Sequence, residues 1–591
     1  MQLGALQVVL LSTLIASMGN SQQADIQVWT ENSLVKVKPE DLPRTGSSDV
    51  YISAAQNEFE SFQIIIRGSG SPLRGVDVDM SDFRAGGRSR ISCQDNCTLY
   101  REDYITVTQP SGQYGSVGEW PDTLIPSIDR YEGEKRNAFP IDVALNRNLP
   151  IWVDVHVPVG TAPGLYTAYV YVRMEGNPTV RIPVYLTVWN FALPTTSSIK
   201  NAFLLYADAL PSRHRSLVTR EALDQLARTY SKALLTHRLT NGWLVGDGWG
   251  WQPKELDEPT SASLEELMRV WGPFFDGSIL DNGAQVTSYI PWFEGCLYGS
   301  LCRPDVLDLF AKSGWINRMA IYLPDEPNLA NATIVQQLTE TANSIHQKDR
   351  RLRTLLTHSY SELMQSQTDI WVVPLQELQE SIDNGSYWST YGQESAQGKE
   401  IWVYQSCAMR EARCSGQSVW FPGLSGWPDY MIDMQGMKNR IQDWVNWKFH
   451  IQGELYWGVN YRYYDADPYQ DQFAFWGNGE GTFFYPGTPN LIGGTTDIPV
   501  ESIRLKIKRD GLEDYEYLTI LSGLGGTAFA DTKVGELVRS ANDWETNPAL
   551  LFRLRQELAA QIEALKSVGL TPVPSSKAKV AVPNTRFRPS F

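Results

Sequence analysis

Residues 318–327 read RMAIYLPDEP, and the fold of the chain turns on them. The apolar run at 319–323 is strand-like, and Pro324 and Pro327 stop it, so Asp325 and Glu326 sit where a strand ends. The same kind of segment recurs at AFLLYAD (202–208), RLTNGWLV (238–245), QVTSYIPWF (285–293), RTLLTHSY (353–360), DIWVVPL (369–375), EIWVYQSC (400–407) and GELYWGVNY (453–461). With 318–326 that makes eight. Several of the gaps carry helical periodicity, as in TREALDQLARTYSKALLTH (219–237), NATIVQQLTETANSIHQKD (331–349) and DMQGMKNRIQDWVNWKFHIQ (433–452). Strand and helix in alternation specify a parallel βα architecture. The count of eight favours a (β/α)₈ TIM-type barrel over a doubly wound open sheet, as does the lack of a Gly-rich phosphate fingerprint after the first strand.

Upstream the pattern changes. IQVWT, DVYISA, ESFQIIIRG, LPIWVDVHVPV, GLYTAYVYVRM and VRIPVYLTVWN are short β-branched and aromatic runs between Gly, Pro and Asp turns. They predict an antiparallel β-sandwich. Downstream, RDGLEDYEYLTIL places Asp510 and Glu513 at the spacing of an N-cap and its partner three residues on, so a helix is expected to start there. A further helix is expected over 548–566. The reading is multidomain, β followed by α/β: a leader over 1–23, a sandwich over 24–197, a catalytic barrel over 198–525, a helical region over 526–568 and a Pro-containing disordered tail over 569–591.

At 591 residues the chain is too long for one core. Its formal charge of −16 repels a phosphate backbone, which excludes nucleic acid as a partner. The 20 Trp and 27 Tyr include flat faces suited to the apolar side of a sugar ring, although core filling claims many of them. The run LGALQVVLLSTLIA (3–16) reads as a signal peptide, no later segment reaches spanning length, and the expected location is extracellular, or periplasmic in a bacterium. Six cysteines fall in three close pairs, Cys93 with Cys97, Cys296 with Cys302 and Cys407 with Cys414, as short-loop disulfides would in an oxidising compartment. No His or further Cys lies at ligand spacing, so neither a metal nor another cofactor is expected. Sequons at Asn96, Asn331 and Asn384 are compatible with a glycoprotein.

Barrel enzymes carry their chemistry at the carboxyl ends of the strands. Two adjacent carboxylates there repel one another and suit acid–base work, whereas the structural alternative is a pair that caps the following helix. Two-carboxylate glycoside cleavage needs carboxyl groups about 5 to 10 Å apart across the bond, which strand neighbours do not easily supply. Substrate assistance removes the difficulty. The sugar's 2-acetamido oxygen is then the nucleophile, Asp325 orients the amide, and Glu326 protonates the leaving oxygen and later activates water. Trp292, His358, Tyr360, Tyr404, Trp457 and Asn460 lie near expected strand ends as sugar contacts, with Trp457 the first choice. Asn241, Trp249, Trp251 and Asp208 are further candidates from the first two βα loops. Burial in the core is the competing reading for each.

The segments WPDTLIP (120–126), LPIWVDVHVP (149–158), YLPDEP (322–327), ELYWGVNY (454–461) and IRLKIKRDGLEDYEYL (503–518) together resemble glycoside hydrolase family 123 over about residues 27–525. The last is the most specific. The resemblance implies a β-sandwich before a barrel catalytic domain, and retaining β-N-acetylgalactosaminidase activity on a glycan or glycolipid through an adjacent Asp-Glu pair, here Asp325 and Glu326. Two other readings stay open: a hydrolase of the same fold for a sugar without an acetamido group, its second carboxylate being Asp208, Asp247 or Glu294, and a secreted carbohydrate-binding protein without turnover.

Overall fold

The computed structural model describes residues 25–43, 48–87, 89–112, 114–217, 219–246, 251–257, 260–405 and 426–569. The expected leader and tail, the Cys407–Cys414 pair, Asp247 and Trp249 lie outside the described residues. The other two cysteine pairs are disulfides, Cys93–Cys97 and Cys296–Cys302.

The N-terminal half is two facing sheets. One runs in the order Asp25–Asn32, Glu58–Ser69, Asn148–Val157, Cys97–Val107, Gly118–Pro126, Ile498–Ser502 and Phe484–Gly487. The other follows the path Val50–Gln56, Val180–Ala192, Gly164–Arg173, Leu73–Met80 and Ile141–Val143. Alternation decides what faces inward: Phe62, Ile64 and Ile66 join Val153, Val155, Ala168 and Val170 in one core, while Ile65 turns the other way onto Trp29 and Val37. Two features depart from expectation. Val50–Gln56 pairs parallel, not antiparallel, with Val180–Ala192, and the last two strands of the first sheet come from within the 198–525 stretch assigned to the barrel.

Six of the eight expected barrel strands form one parallel sheet, in the order Lys200–Phe203, Gly453–Tyr456, Glu400–Tyr404, Ile370–Pro374, Arg353–Thr357 and Ala320–Tyr322. It is a parallel half-barrel. The strands expected at 238–245 and 285–293 are reduced to isolated parallel bridges, Phe203 with Asn241, Tyr289 with Met319 and Trp292 with Tyr322. The reason is local competition for backbone groups. The Asn241 carboxamide oxygen takes the Trp243 amide at 3.0 Å, Asn201 takes the Thr240 amide at 2.7 Å, and the Thr240 hydroxyl takes the Thr287 amide at 3.0 Å. These side chains hold bonds that a regular ladder would use.

Helix Ile503–Gly523 starts at Ser502, whose hydroxyl accepts from the Leu505 amide at 3.2 Å, and not at Asp510. IRLKIK alternates with period two and carries no apolar stripe, so helical periodicity cannot reveal its first turns. Both faces are buried instead, and each cation meets an acid. Arg504 grips Asp122 at 2.8 and 2.9 Å, and Lys506 reaches Asp154 at 3.0 Å. Lys508 reaches Asp443 at 2.8 Å and Glu454 at 2.7 Å, and Arg509 closes on Asp154 at 2.8 Å and Asp510 at 2.8 Å. Asp122 and Asp154 belong to the sandwich, whereas Asp443 and Glu454 belong to the half-barrel side. A second helix, Pro548–Ser567, lies where expected, and its Arg555 reaches Glu60 at 2.8 Å and Asp514 at 2.7 Å.

Removing one member of a fully buried pair strands its partner, at a cost of about 3 to 5 kcal/mol, whereas replacing both by apolar groups is near neutral. Arg504→Met is therefore expected to destabilise the protein by that amount in chemical unfolding, and Arg504→Met/Asp122→Leu to regain most of it. A double variant no more stable than the single one would refute the pairing as the source of the effect.

Candidate active site

The strand leading to Asp325 and Glu326 ends at Tyr322, three residues short of the pair, and Glu326 has φ +39°. The left-handed turn breaks the alternation that would send the two side chains to opposite faces. Both residues are exposed to solvent, and neither makes an ion pair with Lys, Arg or His among the described residues.

Hydroxyl groups hold them instead. Tyr322 Oη and Thr357 Oγ1 each donate to Asp325 Oδ1 at 2.7 Å. The Thr357 hydroxyl also accepts from the Glu326 amide at 3.0 Å, so one side chain fixes both residues of the turn. Tyr404 donates its phenolic hydrogen to Glu326 Oε1. Tyr322, Thr357 and Tyr404 are buried at the ends of three strands of the half-barrel, the first two adjacent and the third separated from them by Ile370–Pro374, which is how the sheet delivers three donors to one point. Burial, and then the Asp325 charge, keeps the Tyr322 phenol well above its ordinary pKa; burial and then the Glu326 charge do the same for Tyr404. Both phenols therefore remain protonated donors.

An arc of aromatic rings leads away from the pair. Tyr322 stacks on Trp292 at 4.4 Å, Trp292 meets Trp243 at 6.2 Å, and Trp243 meets Tyr206 edge-on at 5.2 Å. Tyr206 meets Tyr461 at 5.8 Å, and Tyr461 meets Trp457 at 4.9 Å. Trp457 follows the carboxyl end of its strand, and its indole nitrogen donates to Glu480 at 3.0 Å.

Family descriptions decide what this arrangement belongs to. The catalytic domain of glycoside hydrolase 123 matches residues 303–521, and the glycoside hydrolase 123 N-terminal domain matches residues 30–174. The chain belongs to glycoside hydrolase family 123. It is a glycoside hydrolase. Among solved structures, a family 123 glycoside hydrolase from Clostridium perfringens, described for glycolipid glycan hydrolysis, aligns over 92% of this chain and 98% of its own at 12% identity, with a TM-score of 0.64. That degree of likeness concerns the fold. A Bacteroides ovatus GH5 xyloglucanase aligns over 78% of this chain and 98% of its own at 8% identity, but with a TM-score of only 0.23. Comparison with curated proteins finds no match.

Against this family 123 frame, the expected sugar contacts divide. Trp292, Tyr404 and Trp457 stand on the arc or beside the pair. Asp208 is exposed just beyond the first strand, accepting from Tyr464 Oη at 2.6 Å. Asn241 and Asn460 are buried and occupied. Asn241 donates to Ser231 at 3.0 Å, and Asn460 exchanges bonds with the Tyr206 backbone at 3.0 and 2.9 Å. Their work is to fix loops. Tyr360 packs against Trp371 at 5.6 Å, Trp251 is buried against Trp271, and His358 Nδ1 lies 2.7 Å from the Ser359 carbonyl oxygen. Glu294 sits in the first turn of the short helix after Trp292.

Tyr322, Thr357, Tyr206, Trp243 and Glu377 were not expected at the site. Glu377 accepts from Ser359 and contributes, after the Asp325 and Glu326 charges, to holding the Tyr404 proton. Tyr322 had a usable signal, lying three residues before Asp325. Glu377 had none, since it lies in the helix after Ile370–Pro374, which only the sheet order places between the strands of Thr357 and Tyr404.

Tyr404→Phe removes one donor to Glu326 and leaves the ring. Because a hydrogen bond to a charged group is worth about 1.5 to 3 kcal/mol, kcat is expected to fall about 10- to 100-fold with the fold intact by circular dichroism. A change below twofold would show that the phenol does not position the acid.

Proposed function

We propose that this family 123 enzyme is a secreted, retaining exo-β-N-acetylgalactosaminidase that uses the acetamido group of its substrate as the nucleophile. One observation carries the reading. Two consecutive carboxylates, free of cations among the described residues, are turned out by the +39° backbone of Glu326 and, among those residues, held by donors to only one oxygen of each. Asp325 is then available to accept the acetamido N–H, which drives the carbonyl oxygen onto C1. As the C1–O bond breaks, Glu326 gives its proton to the departing oxygen, and an oxazolinium-type ring forms across C1 and C2. Water then attacks C1, Glu326 takes its proton, and the ring opens to the amide with the β configuration retained.

The reading includes the closed barrel. The bridges at Asn241, Tyr289 and Trp292, with the Ile290 amide donating to the Gly242 carbonyl at 2.7 Å, support continuity from the first strand of the half-barrel around to the last. Adjacent carboxylates at a closed mouth would face a common pocket. The apolar leader and the two disulfides support export to an oxidising compartment. A glycolipid-borne glycan is the substrate class described for the Clostridium perfringens relative, and it suits the aromatic-lined mouth here.

The reading is tested with an aryl β-N-acetylgalactosaminide. Glu326→Gln and Asp325→Asn are each expected to lower kcat/KM by at least a hundredfold with unfolding midpoints unchanged, and a thiazoline analogue of N-acetylgalactosamine is expected to inhibit competitively. Full activity in Glu326→Gln would end the proposal. Thiazoline insensitivity together with an inactive Glu377→Gln would instead assign the second carboxylate to Glu377 and the substrate to sugars without an acetamido group.

A further inference from the structure

A two-residue hairpin stands beyond Trp457. Phe473–Ala474 pairs with Gly477–Asn478, so Phe475 and Trp476 alone make the turn. Both have positive φ, +43° and +67°. Turns of this kind ordinarily use Asn-Gly, because a large side chain in the left-handed region is strained. Bulky residues persist there when the surroundings hold them. The hairpin base is so held: Asn478 donates from its amide to Ser111 Oγ at 2.7 Å and from its carboxamide to the Gln109 carbonyl at 2.9 Å and Asp433 at 3.2 Å.

The strain serves no core. Phe475 is 46% and Trp476 54% exposed, with Tyr464 at 42% close by. Yet the patch is continuous with the active-site arc: Phe475 meets Trp457 edge-on at 4.8 Å and Tyr461 at 5.2 Å, and Tyr461 meets Tyr464 at 5.9 Å. Its charge leans acidic. Arg462 pairs with Asp465 at 2.7 Å and Asp471 at 2.5 Å, and residues 464–480 add Asp467 and Glu480, so four acids meet one cation, which disfavours an anionic lipid surface or an acidic sugar. Exposed rings bordered by hydrogen-bond acceptors suit a neutral sugar, whose C–H face stacks and whose hydroxyls donate.

We propose that the Phe475–Trp476 turn is a leaving-group subsite that stacks a neutral sugar residue of the glycan beyond the bond being cleaved. This rests on the glycosidase reading of Asp325 and Glu326, and the experiment separates the two. The unaltered enzyme and Trp476→Gly are compared on an aryl β-N-acetylgalactosaminide, whose leaving group is one ring, and on a neutral β-N-acetylgalactosaminyl-terminated trisaccharide. The ratio of kcat/KM, trisaccharide over aryl glycoside, is expected to fall about 3- to 10-fold in Trp476→Gly. The melting temperature is expected not to fall, because glycine accepts the turn without strain. An unchanged ratio overturns the proposal, as does an equal loss on both substrates accompanied by a lower melting temperature, which would mark Trp476 as structural. If the unaltered enzyme hydrolyses neither substrate, the catalytic reading fails while the subsite is still tested by titration with lactose, followed by tryptophan fluorescence. Saturable quenching weakened 3- to 10-fold in Trp476→Gly supports it, and no quenching in the unaltered protein overturns it. Co-sedimentation with phosphatidylcholine vesicles that Trp476→Gly abolishes, with the substrate ratio unchanged, would assign the rings to a lipid surface instead.

Discussion

Every cation on the first two turns of helix Ile503–Gly523 is buried, and every one has its acid. A single uncompensated charge at that depth would cost several kcal/mol, so the helix tolerates one placement only. Arg504 and Lys506 fix it to Asp122 and Asp154 of the sandwich, while Lys508 fixes it to Asp443 and Glu454 beside the half-barrel. Apolar packing would hold the two halves of the molecule together without dictating register; matched charges dictate it. The sandwich is therefore a brace for the half-barrel, and its first sheet even takes in strands Phe484–Gly487 and Ile498–Ser502, which follow the last half-barrel strand in sequence.

The candidate site depends on that bracing through Glu454. This acid takes Lys508 at 2.7 Å and the Tyr430 phenol at 2.5 Å from the strand that ends in Tyr456, and Trp457 follows directly. Across the sheet, Tyr322, Thr357 and Tyr404 meet at Asp325 and Glu326 because parallel strands in register end together. Donors to the carboxylates are hydroxyl groups and not cations. Among the described residues, each acid has a second oxygen that receives no donor. The positive φ at Glu326 belongs to the same design: a costly backbone conformation placed where two neighbouring side chains must leave the strand on one side.

Much of this was legible along the chain. The strand runs at 353–360, 369–375, 400–407 and 453–461 each contain a strand, because continuous apolar runs bounded by polar residues are what a sheet buried on both faces requires. The segments at 238–245 and 285–293 carried the same composition, but Asn201, Asn241 and Thr240 take the backbone groups that a ladder needs, and only short bridges remain. Asn241 and Asn460 looked like sugar contacts from their positions, and burial gives both to the backbone.

By itself the sequence determined the order of six of the eight barrel strands, that the strand stops before Pro324 and the presence of two adjacent acids just beyond it, since these follow from local periodicity and from what proline forbids. Tertiary structure alone decided who touches those acids. Thr357 and Tyr404 come from strand ends and Glu377 from the first turn of the helix after another strand, 31, 78 and 51 residues beyond Glu326, and their convergence is a property of sheet order. It also decided where helix Ile503–Gly523 begins. A helix buried on every side by ion pairs has no apolar stripe to read, because its stability comes from partners that lie elsewhere in the chain.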